Sequence, residues 1–183
     1  MNRRVIFVDP ELWTTPKENP MTINPANAGD FRRAGAFIKW HAHGNRDGMN
    51  ALLLEALEAK RPTQFIAAIL NTFDGIVPML ATKAGQRGMA ELIIAIADGT
   101  DNLDPDVVPE EWRRAARLMV AYGENNGDAM NRILHETPDV SPTIIGVCDV
   151  YTVVLPMLHT PFGMGIIDTG IRRLSGIEAE GRQ

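Results

Sequence analysis

The sequence predicts an all-α fold, made by internal duplication of a four-helix unit and packed as one compact helical domain. Three observations carry that expectation. Residues 30–55 can be laid over 111–136 without a gap, with nine of 26 positions identical, where average residue usage would give about two. Further along, Ile76–Thr82 (IVPMLAT) matches Val154–Thr160 (VLPMLHT) in the same order. Apolar residues within the copies recur with helical period rather than strand alternation.

Four helices are expected in each copy. Helix A spans 30–43 and 110–123, where Trp112, Ala115, Ala116 and Met119 fall at i, i+3, i+4 and i+7, the stripe that one buried face requires. Helix B follows Asn45-Arg46-Asp47 and Asn126-Gly127-Asp128, with the two aspartates expected as N-caps and Met49, Leu52, Leu53, Ala56 and Leu57 as its apolar stripe. Helix C carries Phe65, Ile66, Ile69, Leu70, Phe73, Ile76, Val77 and Leu80 over four turns. Its second copy, 143–155, is rich in β-branched residues that favour a strand locally, and is read as helix by its counterpart. Pro78 and Pro156 are expected inside it as kinks. Helix D covers 86–98 and 163–175, with Gly99 and Gly176 suited to left-handed C-caps.

The expected organisation is an extended N-terminal arm over 1–29, a helical unit over 30–98, an acidic linker over 99–109, a second unit over 110–176 and a polar tail over 177–183. The arm holds four prolines between Pro10 and Pro25, and Met21 is an alternative start. Its Val5, Phe7, Leu12 and Trp13 are too apolar for a free tail and are expected to contact a partner or a second copy.

Composition limits the function classes. Hydrophobic residues at 45% and charged residues at 22% describe a globular chain rather than a disordered one. The net charge of -5 argues against a nucleic-acid partner, because phosphate binding draws on a basic excess. The Val5–Val8 run is too short for a secretory signal, and the runs around 92–97 and 150–158 are too short to span a membrane. The single Cys148 lies in an apolar run, so a reducing, cytoplasmic compartment is expected.

Several motifs invite chemistry and yield to plainer explanations. His41 and His43, two apart on a helix, diverge by about 200° and do not chelate together, and His41 takes the place of Tyr122 on the apolar side of helix A. Asp98, Asp101, Asp104 and Asp106 do not fit a calcium loop, because Leu103 stands where glycine is needed and Pro109 where a carboxylate is needed. Glu55-x-x-Glu58 resembles half of the carboxylate pattern of all-α, magnesium-dependent nucleotide pyrophosphohydrolases, and the facing Glu-x-x-Asp is absent. Phosphate loops, dinucleotide glycine patterns and nucleophile elbows do not occur, and Cys148 has no evident base. No metal and no cofactor is expected.

One feature stays open. Helix C carries a narrow stripe of small or polar residues in each copy: Ala68, Asn71, Asp74 and Pro78, then Gly146, Asp149, Thr152 and Pro156. If the stripes face each other, Asn71, Asp74, Asp149 and Thr152 line a ligand groove between the copies; the plainer reading is that both face water. The function expected is a non-catalytic helical module for protein binding or assembly, homo-oligomeric through the arm, with no membrane or nucleic-acid partner. The alternative is a small metal-dependent enzyme or ligand binder using those carboxylates.

Overall fold

The computed structural model describes residues 25–99, 108–136 and 138–181, and those residues form eight α-helices, one 3-10 turn and no strand. In chain order the helices are α1 (Pro25–Ala42), α2 (Arg46–Glu58), α3 (Pro62–Leu80), α4 (Lys83–Asp98), α5 (Glu110–Gly123), α6 (Gly127–Leu134), α7 (Ser141–Val154) and α8 (Pro161–Glu180), with the 3-10 turn at Pro156–His159. The β-branched stretch of α7 is helical because tertiary burial of Ile144, Val147, Val150 and Val154 overrides its local preference.

Short signals set the ends. Asn45 and Asn126 are the N-caps of α2 and α6, accepting from the amides of Gly48 at 2.8 Å and Ala129 at 3.0 Å. The expected caps Asp47 and Asp128 lie instead in the first turns, where a negative charge still suits the helix dipole. The turns that precede these caps use a left-handed residue at the same aligned position, Gly44 at φ 64° and Asn125 at φ 52°. Thr82 and Thr160 cap α4 and α8 through the amides of Gly85 and Gly163. Gly99 closes α4 in the left-handed conformation, as expected, whereas α8 runs through Gly176 to Glu180. Pro78 lies inside α3; α7 ends before Pro156, which opens the 3-10 turn instead of kinking a helix. On α2 the buried set is Met49, Leu52 and Ala56, while Leu57 faces out with Leu54.

The helices group into two compact units that do not follow sequence order. Residues 25–79 and 157–181 form one, holding α1, α2, α3, the 3-10 turn and α8; residues 80–156 form the other, holding α4 to α7. The chain passes from one unit to the other at Met79–Leu80 and returns at Pro156–Met157, both within the repeated Pro-Met-Leu sequence. In the first unit α1 packs against α2 and α8, and Phe37 meets Phe65 of α3 edge-on with ring centroids 5.7 Å apart. In the second, α5 packs against α4, α6 and α7.

The α1–α8 seam is antiparallel. Arg32 donates to Glu178 at 2.8 Å near one end and Lys39 to Asp168 at 2.6 Å near the other. Between them a methyl at Gly35 would lie 2.9 Å from Ile171 Cγ1, so the missing side chain lets the helices approach. The α5–α7 contact has a similar device: a Cβ at Gly146 would lie 2.8 Å from the backbone oxygen of Glu111. Helix α3 is, by length and composition, apolar enough to cross a membrane, which the sequence reading above missed. Over half of that window is buried within the protein, including Phe65, Ile69, Leu70 and Phe73, as in a core helix.

Gly146→Ala should therefore destabilise by about 1–3 kcal/mol, since backbone must move to admit the methyl. Gly88→Ala on α4, where a Cβ meets nothing within 4 Å, should stabilise by about 0.5–1 kcal/mol through helix propensity. Urea unfolding of the two variants, with equal m-values, measures both.

Candidate functional site

The four stripe residues each have a defined setting. Asn71 on α3 donates from its side-chain amide to the Ala67 carbonyl at 2.8 Å, and Thr152 on α7 donates to the Cys148 carbonyl at 2.9 Å. Asp149 on α7 is half-buried and accepts from the Trp112 indole N–H of α5 at 3.2 Å. The carboxylate thus meets a donor on α5 that sequence spacing did not pair with it. Asp74 on α3 is only 7% exposed, and no hydrogen bond reaches its carboxylate from the described residues. Burial raises its pKa from 3.8 to about 7. Asn71 and Asp74 lie in the first unit, Asp149 and Thr152 in the second. Val5, Phe7, Leu12 and Trp13 lie outside the described residues.

The remaining reactive groups are engaged structurally. Cys148 is fully buried, and desolvation together with the neighbouring Asp149 pushes its thiol pKa up, away from thiolate chemistry. His43 lies beside the Lys39 carbonyl through Nδ1 at 2.7 Å, while the His41 ring sits 6.5 Å from that of His159. Glu55 is not a free surface carboxylate: it pairs with Arg33 at 3.1 Å and Arg32 at 3.4 Å. Glu136 pairs with Arg114 at 3.4 Å, so the aligned arginine and glutamate meet in both units. Asp30, buried near the start of the seam, accepts from Arg61 Nε at 2.9 Å. Among the described residues no group of three or more His, Cys, Asp or Glu side chains could hold a metal ion.

One concave feature of the first unit is a groove of about 660 Å³ between α3 and α8, with α1 beneath. Phe31 and Gly35 of α1 form its buried floor; Asn71, Gly75 and Met79 line the α3 side; Phe162, Gly165, Gly170 and Arg173 line the α8 side. Its mouth carries two of the most exposed large hydrophobic residues described, Phe162 at 65% and Met79 at 61%. Arg173 is its one charged lining residue among those described, and makes no ion pair with the described residues. A volume within the usual range for ligand sites, apolar walls and a single cation suit an apolar occupant with negative charge.

Of the sequence-predicted site residues that are described, Asn71 alone lines this groove. Sequence reasoning missed Gly35, Gly75, Gly165, Gly170, Phe162 and Arg173 because α1, α3 and α8 come together across more than a hundred residues. A faint signal was present in α8, whose glycines interrupt a helix without ending it. A Cβ at Gly165 or Gly170 would meet nothing within 4 Å, so neither glycine is needed for packing, although each costs the helix about 0.5–1 kcal/mol against alanine.

No family model, curated protein or solved structure matches the chain.

The buried Asp74 predicts a pH dependence. Unfolded, it ionises near 3.8; folded, it keeps its proton up to about 7. The folded protein binds the extra proton between those values, so this residue's contribution to stability falls as pH rises through that window. Asp74→Asn should match the wild type at about pH 4 and exceed it by a few kcal/mol at about pH 8. Urea unfolding across pH tests this, and a difference independent of pH would contradict it.

Proposed function

We propose that the chain is a non-catalytic helical binding module, formed by duplication of a four-helix unit, whose α1–α3–α8 groove receives an apolar segment of a protein partner, self or other. The observation that carries this reading is the chemistry of the groove's described lining: apolar walls, one cation that makes no ion pair with the described residues, and no carboxylate, histidine or thiol. Such a surface can hold an occupant and orient its charge, and the hydroxyls of Thr72 and Thr169 in its described lining have no carboxylate or imidazole beside them there to act as acid or base. The metal-dependent alternative is less favoured, because Asp149 is committed to Trp112 and Asp74 is half-protonated near neutrality. A reducing, cytoplasmic setting suits the single buried thiol.

The duplication is supported by details that recur at aligned positions. These are the left-handed residue 44 or 125, the caps Asn45 and Asn126, the caps Thr82 and Thr160, and the pairs Arg33–Glu55 and Arg114–Glu136. Each compact unit then holds the first three helices of one copy and the fourth of the other. On the same alignment, Gly35, Gly75, Gly165 and Gly170 correspond to Ala116, Val153, Arg87 and Leu92. The small residues that open the groove in one unit are larger in the other, the pattern expected when one copy of a duplicated unit has specialised for binding.

Anilinonaphthalene sulfonate, an apolar dye with one negative charge, tests the groove. Gly165→Leu places a side chain in the open space without burdening the helix and should weaken dye binding about tenfold, a loss of about 1.4 kcal/mol. Gly88→Leu, in the other unit, should leave it unchanged. Equal dye affinity in wild type and Gly165→Leu would remove the groove from consideration.

A further inference from the structure

We propose that a partner protein's segment enters the groove as an α-helix, apolar on its inner face and carrying a carboxylate about three turns from its apolar anchor, where it meets Arg173. This deepens the binding-module reading and rests on it, since the groove must first be a binding surface.

Hydrogen bonding selects the helix. An extended segment brings backbone amides and carbonyls that need partners in the site. The described residues form no strand, so there is no sheet edge to pair with. The polar lining of the groove is turned onto its own helices. Thr72 donates to the Ala68 carbonyl at 2.6 Å, Asn71 to Ala67 at 2.8 Å and Thr169 to Gly165 at 2.8 Å. An extended backbone laid on these walls loses water and gains little in return, which is costly for each unmet group. A helix satisfies its own backbone and presents side chains alone.

Space selects it as well. A Cβ at Gly165 or Gly170 would meet nothing within 4 Å, so the backbone of an incoming helix can approach α8 closely. A helix that seats between α3 and α8 at the usual packing distance of about 8–10 Å touches both walls. It therefore covers both exposed rim residues, Met79 and Phe162. A single alkyl chain is narrower and leaves rim surface in water.

Charge sets the register. Phe162, Ile166, Thr169 and Arg173 line the groove from one face of α8, at steps of four, three and four residues. Phe162 and Arg173 are 11 residues apart, about 16 Å along the axis. Along α8 the lining thus runs from an apolar end to a positive end. A helix lying along α8 repeats the same spacing, so apolar residues at i, i+4 and i+7 and an Asp or Glu at i+11 share one face. The carbonyls at a helix C-terminus carry partial negative charge and add to the attraction of Arg173. The occupant therefore runs parallel to α8, with its apolar start at Phe162 and its acidic end at Arg173.

A designed peptide of about four turns tests this on the full chain. It carries Leu at i, i+4 and i+7, Glu at i+11, and Ala and Gln elsewhere, and its affinity is read by isothermal titration calorimetry. It should bind the wild type about fivefold or more tighter than the same peptide with Lys at i+11, and Arg173→Glu should reverse that order. Arg173 is exposed, and tighter binding of the Lys peptide shows that the variant is folded. A third peptide, with Pro at i+5, cannot form the helix and should bind about tenfold or more weakly. Equal affinity for the Pro peptide would overturn the proposal in favour of an extended occupant. A preference between Glu and Lys that Arg173→Glu leaves unchanged would remove the charge contact and overturn it too. Decanoate that displaces anilinonaphthalene sulfonate where no peptide does assigns the groove to a single-chain amphiphile. A dimer in light scattering that Gly165→Leu dissociates assigns it to a second copy. If no peptide binds while Gly165→Leu still lowers dye affinity, the helix proposal fails and the groove reading stands. If Gly165→Leu also has no effect, both fail together.

Discussion

The first unit depends on the antiparallel seam between α1 and α8, two helices more than a hundred residues apart in sequence. Helix α1 is buried almost around its circumference, with Ala28, Phe31, Ala34, Phe37 and Ile38 all in the core. Its partners α2 and α3 cover part of that surface, and α8 covers the rest. Three contacts set the register: the ion pairs Arg32–Glu178 and Lys39–Asp168, and the close approach of Ile171 to Gly35. The ion pairs are half-exposed and supply register more than energy. The energy comes from the apolar residues between them, and the approach at Gly35 brings those residues into contact. The groove follows from the same arrangement, because α8 leaves open space above Phe31 where α3 and α8 carry glycines.

Burial also governs the titratable side chains of the helices. Asp74 and Cys148 are buried within their own units, and Asp149 is half-buried. Desolvation keeps a proton on the Cys148 thiol and raises the Asp74 pKa towards neutrality, while the indole of Trp112 holds the Asp149 carboxylate. What the described surface presents instead is a cluster of exposed apolar side chains around one cation. Such a surface gains free energy by being covered.

The helical nature of the chain was legible in the sequence because the signals are local: 3.6-residue periodicity, Gly99 at the end of α4, and the Glu110–Gly123 boundaries of α5; the start of α4 at Thr82 was not, and lies a turn before the expected residue 86. Asn45 and Asn126 are identical positions in the two copies, and the neighbouring aspartates suit a cap equally well by residue type; either side chain can accept the orphan amides, and the local geometry selects one. The burial of Asp74 was not legible, because a polar residue in an apolar helix reads as a solvent-facing stripe until the opposing helices are placed. The pairing of α8 with α1 is non-local, and periodicity carries no information about which helix covers which. The groove was hidden for that reason, and Asn71 was found for its polarity, not for its place above Phe31.

Native-state hydrogen exchange read by mass spectrometry in mild denaturant tests the exchanged grouping of helices most directly, since packed elements lose protection as cooperative units. The account predicts that α8 opens together with α1, α2 and α3, and that α4 opens together with α5, α6 and α7. Gly35→Val, which wedges the α1–α8 seam, should then lower protection in α1 and α8 together and spare α4 and α5. If α4 instead lost protection with α1–α3, and α8 with α5–α7, the helices would group by sequence neighbourhood and the central claim would be contradicted.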